Sequence, residues 1–261
     1  MLGLGANLAN ASTLANYFSD YSVAFDGNQG YIELGSTFQT VFRGSFTISA
    51  WVNFDDQTPG SSHIFGHNDD GNNFLSLSLG GDGNWRFEFM ANEEELGSGG
   101  LAVDAGFSGN SASGCIHVAV SVINAGGGAL STMEMYVNGS SIGTNSNNLT
   151  STDHDNYTIS QNLFIGGNNF DDDGGTSTTI NGKIDDVAMW DVALSDATVT
   201  AVYNSGSPFD LTGNSGGYNN SGDLVGYWKF EEGTGTTVAD SSTNNITGTF
   251  NNGVSWDSST P

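Results

Sequence analysis

Carboxylates are the most abundant reactive groups in this chain, and three short stretches cluster them with amides. HNDDGNN surrounds Asp69 and Asp70, DHDN surrounds Asp153 and Asp155, and NNFDDDGG surrounds Asp171, Asp172 and Asp173. Hard oxygen ligands of this kind suit Ca2+. None of the three has the regular ligand spacing of an EF-hand, and the run at Asp171 lacks its distant Glu. Paired carboxylates also serve glycoside hydrolysis, where a retaining enzyme needs them roughly 5–5.5 Å apart. The best strand, NWRFEFM, offers only Glu88, beside Arg86 and Met90, and Glu93, Glu94 and Glu95 are consecutive in a loop-like stretch. The expectation is therefore no catalysis. His117 lies in an apolar run and reads as a core histidine, while His63, His67 and His154 read as scattered loop residues rather than a zinc set. The single Cys115 reads as a small buried hydrophobe. Sugar recognition needs exposed aromatics beside amides and acids, for which Trp51, Trp85, Tyr157 and Phe170 are the candidates. Trp51 and Trp85 sit in strongly alternating stretches and read as core. Tyr157 and Phe170 adjoin acidic loops and read as a ligand-binding rim together with Asp69, Asp70, Asp171 and Asp172.

The 261 residues carry 4 Lys+Arg against 29 Asp+Glu, a net charge of −25. Phosphate backbones and anionic lipid surfaces need clustered cations, so neither nucleic acid nor a membrane surface is an expected partner. A cation such as Ca2+ is favoured, and the same acids also keep a Gly-rich β protein soluble. Four trypsin sites suit a protein exposed outside a cell. No apolar run approaches the ~18 residues of a membrane span. The N-terminus, MLGLGANLANASTLANYF, lacks the charged region of a secretory signal.

The elements that must position these groups are strands. Residues 1–20 read as an arm with weak helical turns. From YSVAF through YIEL, SFTISAWVNF, NFLSLSL, NWRFEFM, CIHVAVSVI, TMEMYV and NLFIGG to KIDDVAMW the period is two, with Gly, Asn, Ser and Thr between the runs. This predicts an all-β, two-sheet antiparallel sandwich over 21–206, with CIHVAVSVI central and a hairpin turn at Asn138-Gly139. After Trp190 the period lengthens, and one short helix is expected near 195–204, N-capped by Ser195 and ended by Gly206 and Pro208. Strict alternation puts Asp185 and Asp186 on opposite faces of their strand, so that at most one faces inward. Residues 207–222 read as a linker, and 223–261 as further strands too few to hold a core of their own.

YSVAFDGNQGYIEL, SFTISAWV, MYVNG and INGKIDDVAMWDVALSDATVTAVYNSG resemble the laminin-G-like, concanavalin A-like jelly rolls. That likeness implies a jelly-roll sandwich and, among its relatives, binders of sugars, proteins and metals as well as glucanases. GYWKFEEGTGTTVADSSTNN is similar to the strand that usually opens such domains, yet here it closes the chain. The resemblance implies that it completes the same sandwich, with exchange of the tail between protomers, a homo-oligomer, as the alternative. Cys115 stands where many relatives have a Trp. The Asp-Ser-Ser stretch at 240–245 implies a structural Ca2+ held by Asp240 and Asn244, with Asp26 or Asp185 nearby. The arrangement also looks like jelly-roll proteins of marine bacteriophages. It implies a carbohydrate- or surface-binding virion protein outside the cell, docked on other virion proteins by the arm. The alternatives are a purely structural decoration protein and a glycoside hydrolase of the same fold.

Overall fold

The computed structural model describes residues 17, 19–55, 62–67, 73–80, 83–91, 94–95, 114–158, 162–167 and 180–260. In chain order the first strands are β1 (Ser22–Asp26), β2 (Tyr31–Gly35), β3 (Phe46–Phe54), β4 (Ser62–His67), β5 (Phe74–Leu79), β6 (Trp85–Ala91), β7 (Glu94–Glu95) and β8 (Ile116–Ile123). They are followed by β9 (Leu130–Val137), β10 (Ser140–Thr150), β11 (Leu163–Ile165), β12 (Asn181–Trp190), β13 (Leu224–Trp228), β14 (Thr237–Val238), β15 (Gly248–Asn251) and β16 (Val254–Asp257). Three short helices, α1 (Gln39–Phe42), α2 (Ser151–Asp155) and α3 (Asp196–Tyr203), lie between them. The first two were not expected from the sequence, being single turns inside β-patterned chain.

The strands form two antiparallel sheets. Sheet A runs β10-β9-β8-β3-β12-β1-β16, with β13 also paired to β12, and sheet B runs β14-β15-β2-β11-β4-β5-β6-β7. This is the expected all-β sandwich. Phe46, Ile48, Ala50 and Val52 of β3 meet Trp85, Phe87 and Phe89 of β6 in one large core between the sheets. β8 is central, between β3 and β9, and its residues up to Val122 are buried on both faces. Asn138 and Gly139 take positive φ, 49° and 72°, and so make the tight link between β9 and β10. Gly166 has φ of 87°, and a Cβ there would stand 2.0 Å from the Phe25 ring, so two strands approach where only glycine fits.

The chain's last forty residues add to both sheets of the same sandwich. β13 lies along β12, β16 along β1, and β15 along β2. Trp228, Phe230 and Val238 thereby enter the main core.

α3 begins where Ser195 Oγ accepts from Thr198 N, as expected of an N-cap. It ends earlier than Gly206, because Asn204 takes the left-handed conformation at φ 47°. Val199 and Val202 face down onto the outside of sheet A. There they join Ala188, Trp190, Tyr136 and Tyr227, together with Leu211 and Tyr218 from the stretch read as a linker, in a second, smaller core. Trp190 Nε1 donates to the Tyr218 hydroxyl at 3.0 Å, which donates to Leu211 O at 3.0 Å. Residues 207–222 are thus folded onto the sheet rather than strung beside it.

Trp228 is fully buried, bonds Ile246 O through Nε1 at 2.9 Å and meets Phe38 edge-on at 5.9 Å. Trp228→Ala is expected to cost about 3–5 kcal/mol, read as a lower urea midpoint. Ile123→Ser, at a side chain 48% exposed, should change stability by less than ~0.5 kcal/mol. Equal effects of the two would mean that the tail does not share the core.

Candidate functional site

The second core occupies the outside of sheet A, whereas the outer face of sheet B belongs to neither core; it is partly exposed at Glu33, Phe164 and Glu88 and buried at Gly66 and Ser76. Alternation decides what that face carries. Ile32, Leu34, Ile165, Leu75, Leu77, Phe87 and Phe89 point into the core, and their strand neighbours point out. Pairing across β15, β2, β11, β4, β5 and β6 aligns Thr249, Glu33, Phe164, Gly66, Ser76 and Glu88 in one row. The row spans roughly 24 Å at the usual strand spacing. Tyr31, two residues before Glu33, stands edge-on to Phe164 with ring centroids 5.1 Å apart. Both rings are half-buried. Asn162 Nδ2 donates to Glu33 Oε1, and His63 Nδ1 meets the buried Ser76 hydroxyl at 2.7 Å. Burial lowers His63 to about 4, so it is neutral at pH 7.

Two partly exposed rings set beside a carboxylate and an amide can stack on a pyranose ring and bracket its hydroxyl groups. Hydrolysis is another matter. Glu33 and Glu88 stand four strands apart in the row, roughly 19 Å, far beyond the ~5–9.5 Å that glycosidase carboxyl pairs span. Tyr31, Glu33 and Phe164 were not singled out from the sequence, although YIEL and NLFIGG alternate cleanly enough to place them.

Several expected site residues lie elsewhere. Tyr157, expected on a rim, is fully buried in the main core, where it packs on Phe42 and Phe89 and its hydroxyl meets His67 Nε2. The acidic residues before it form α2, which turns the ring inward. His63 and His67 are on β4 and His154 is on α2, not in loops, and both His67 and His154 are buried. Asp153 Oδ2 accepts from Thr150 N and Thr150 Oγ1 at 2.7 Å each and so caps α2. Cys115 is half-buried just before β8, and burial pushes its thiol up. Trp51 and Trp85 are buried as expected. Asp69, Asp70, Phe170, Asp171 and Asp172 lie outside the described residues.

The expected Ca2+ ligands are not brought together. Asp240 Oδ1 accepts from Tyr227 N and Ser242 N, and its Oδ2 from Ser242 Oγ and Ile246 N, all at 2.8–3.0 Å. Its carboxylate is filled by the loop that it organises. Asn244 Nδ2 bonds Val225 O, and Asp26 is exposed and accepts from Asn28 N. Among the described residues no three acids, histidines or cysteines form a metal-holding group. Asp26, Asp185, Asp240 and Asn244 therefore do not fit a Ca2+ ion as one set.

Asp185 has a different role. Asp185 faces Trp51 and Ala188 faces Ser49, so three steps along β12 match two along β3. The extra residue makes a bulge, with Asp186 at φ 47°. Asp186 borders a small cavity with Ser49, Trp51 and His117, all on the outer side of sheet A. The bulge thus turns both carboxylates to one face, not opposite faces, and the second core buries them to 2% and 3% exposure. Asp186 Oδ1 accepts from the Tyr17 and Tyr227 hydroxyls at 2.7 and 2.6 Å, and Asp185 Oδ2 from Ser19 Oγ at 2.7 Å. Asp20 N donates to Glu231 Oε2 at 2.9 Å, and Lys229 stands 5.5 Å from the Tyr17 ring. Burial pushes Asp186 up to about 7, and burial plus the Asp186 charge raises Asp185 well above the usual carboxylate range.

The sequence of residues 26–200 matches the family model of the concanavalin A-like lectin/glucanases superfamily. The chain belongs to that superfamily. Among curated proteins, none matches it. A candidate carbohydrate-binding protein from Bacteroides ovatus superposes with a TM-score of 0.53 at 18% identity, over 92% of this chain and 60% of its own length. The heptameric pentraxin of Limulus polyphemus gives 0.50 at 17%, over 92% and 96%. The carbohydrate-binding module of a Ruminococcus gnavus sialidase, bound to α2,3-sialyllactose, gives 0.53 at 16%, over 70% and 96%. Likeness at this identity is a likeness of fold.

Both buried acids bind their proton more tightly in the folded chain than in the unfolded one. The stabilisation this gives is complete below the unfolded value near 3.8 and is lost as pH rises through about 7. Thermal midpoints measured from pH 4 to pH 8 should therefore fall across that window. Asp186→Asn keeps an oxygen for the two phenols and tolerates the left-handed backbone, so it should flatten the fall. An unchanged slope in the variant would show that the pair is not its source.

Proposed function

We propose that the chain is a non-catalytic carbohydrate-binding module that holds a glycan or other sugar-based surface polymer against the outer face of sheet B. The observation that carries this reading is the set of Tyr31, Phe164, Glu33 and Asn162, partly exposed and outside both cores. Rings offer stacking, and the polar groups offer directional bonds to hydroxyls, the combination sugar recognition requires. Fold neighbours that bind carbohydrate support it. The wide spacing of Glu33 and Glu88 supports a binder over a hydrolase.

In its finer form the reading is of an adhesion module outside the cell, on a virion or a similar assembly, with the arm of residues 1–20, tied to sheet A at Tyr17, Ser19 and Asp20, meeting the other virion proteins through its earlier part. Its support is the acidic composition, the four trypsin sites and the sequence likeness described above. Loop stabilisation by Ca2+ belongs, in this reading, to the acidic stretches around Asp69 and Asp171, both outside the described residues.

A glycan array probed with the multivalent protein tests this. Tyr31→Ala and Phe164→Ala should each lose about tenfold in affinity for any bound glycan, since a stacked ring contributes on the order of 1–1.5 kcal/mol. Both rings are partly buried, so some loss of thermal midpoint is expected, and binding is compared at a temperature where each variant is folded. Binding that survives both changes would remove sheet B as the site. Signal lost in EDTA and restored by CaCl2 supports the Ca2+ component, and indifference to EDTA removes it.

A further inference from the structure

The carbohydrate-binding reading leaves open which part of a glycan meets sheet B, and the geometry of the two rings bears on it. Tyr31 and Phe164 lie at 89° to one another with centroids 5.1 Å apart. A sugar lays its C–H face on the face of an aromatic ring. A run of sugars along a polymer therefore calls for rings that share a plane. Two perpendicular rings this close make a corner instead. One of them can lie flat against a sugar, and the other then stands along that sugar's rim.

The neighbouring strands limit the corner further. On the β4 and β5 side the row continues through Gly66 and Ser76, both buried, with His63 Nδ1 2.7 Å from the Ser76 hydroxyl. Phe74, the next outward ring, stands on β5 beyond those buried positions. On the other side Thr249 of β15 and Thr237 of β14 are exposed and offer hydroxyls without a ring. The paired rings are thus confined to β2 and β11, adjacent strands about 4.8 Å apart.

Glu33 supplies the polar contact. Asn162 Nδ2 donates to its Oε1, and its Oε2 takes no donor among the described residues. A carboxylate only accepts, so the ligand must bring O–H groups to it. A sugar in the interior of a chain has lost one O–H to the bond with the next unit, whereas a terminal sugar keeps its full set. We infer that the corner seats the terminal sugar of a glycan, with one aromatic ring against its face and its free hydroxyls on Glu33, and does not grip the interior of a polymer. This rests on the carbohydrate-binding reading above.

The test is an array that carries each glycan twice, with the terminal sugar free and with that sugar's hydroxyls methylated. It includes chains of glucose, galactose, mannose and xylose from one to six units, fixed through their reducing ends. Affinity should change by less than about threefold between two and six units, because added interior sugars reach no coplanar ring. Methylation of the terminal sugar should cost about tenfold, the worth of a hydrogen bond to a charged group. Glu33→Ala should bring a free-ended glycan down to the level of its methylated form. Affinity that climbs tenfold or more with length, or a methylated chain that binds as well as the free one, overturns this inference and leaves the module a lectin. A blank array overturns the carbohydrate reading itself, and this inference with it.

Discussion

One strand holds the chain's distant parts together. β12 pairs along its length with β3, while its other edge is shared end to end by β1 and β13. The start, middle and end of the sequence therefore meet on ten residues. The bulge at Asp185–Asp186 falls where one edge partner gives way to the other. β12 also feeds both cores, since Ile184, Val187 and Met189 face between the sheets and Ala188 and Trp190 face outward under α3. Removing the bulge would slip the register beyond it by one residue and exchange these sets, exposing one core to build the other. That dependence accounts for a left-handed aspartate in the middle of a strand, a conformation that costs about 1 kcal/mol or more and persists only where its surroundings fix it.

Placing a second core on the outside of sheet A has a functional consequence. The sandwich has two outer faces, and α3 with the 207–222 segment occupies one of them. The residues that bury this face, Trp190, Tyr218 and Leu211, are large and apolar. The outward residues of sheet B mix polar side chains such as Glu33, Ser76 and Glu88 with Tyr31, Phe74, Met90 and Phe164.

Much of this was legible in the sequence. Period-two alternation gave the strands, the inward faces and the central place of β8, and the change of period after Trp190 gave α3. The misreadings share a cause. Alternation assumes an unbroken strand, so the bulge that turns Asp186 beside Asp185 left no trace in the pattern. Nothing local in Tyr17 or Tyr227 says that both hydroxyls end on one carboxylate, because 169 and 41 residues separate them from Asp186. Tyr157 was judged by its acidic neighbours, but burial is decided by how α2 closes over Phe42 and Phe89. The Asp240 stretch carried the composition of a metal loop, and its carboxylate is used by neighbouring N–H and O–H groups. Composition names the donors and acceptors; geometry decides which of them meet.

The scarcity of cations ties the interior to the surface. With 4 Lys+Arg for 29 acids, ion pairs can neutralise few carboxylates, and a carboxylate left both buried and unpaired costs far more than one in water. The fold meets this largely with neutral donors, while Asp186 Oδ2 stays buried without a partner, in keeping with its raised pKa. Asp240 takes two backbone N–H groups on one oxygen and a third beside a serine hydroxyl on the other, Asp186 takes two phenols, and Asp153 takes an N–H and a hydroxyl. Bonds of this kind are short-ranged and little screened by salt, unlike the exposed pairs of Lys183 and Lys229. A protein that meets its interior demands in this way can leave its remaining acids on the surface, where they repel other anions.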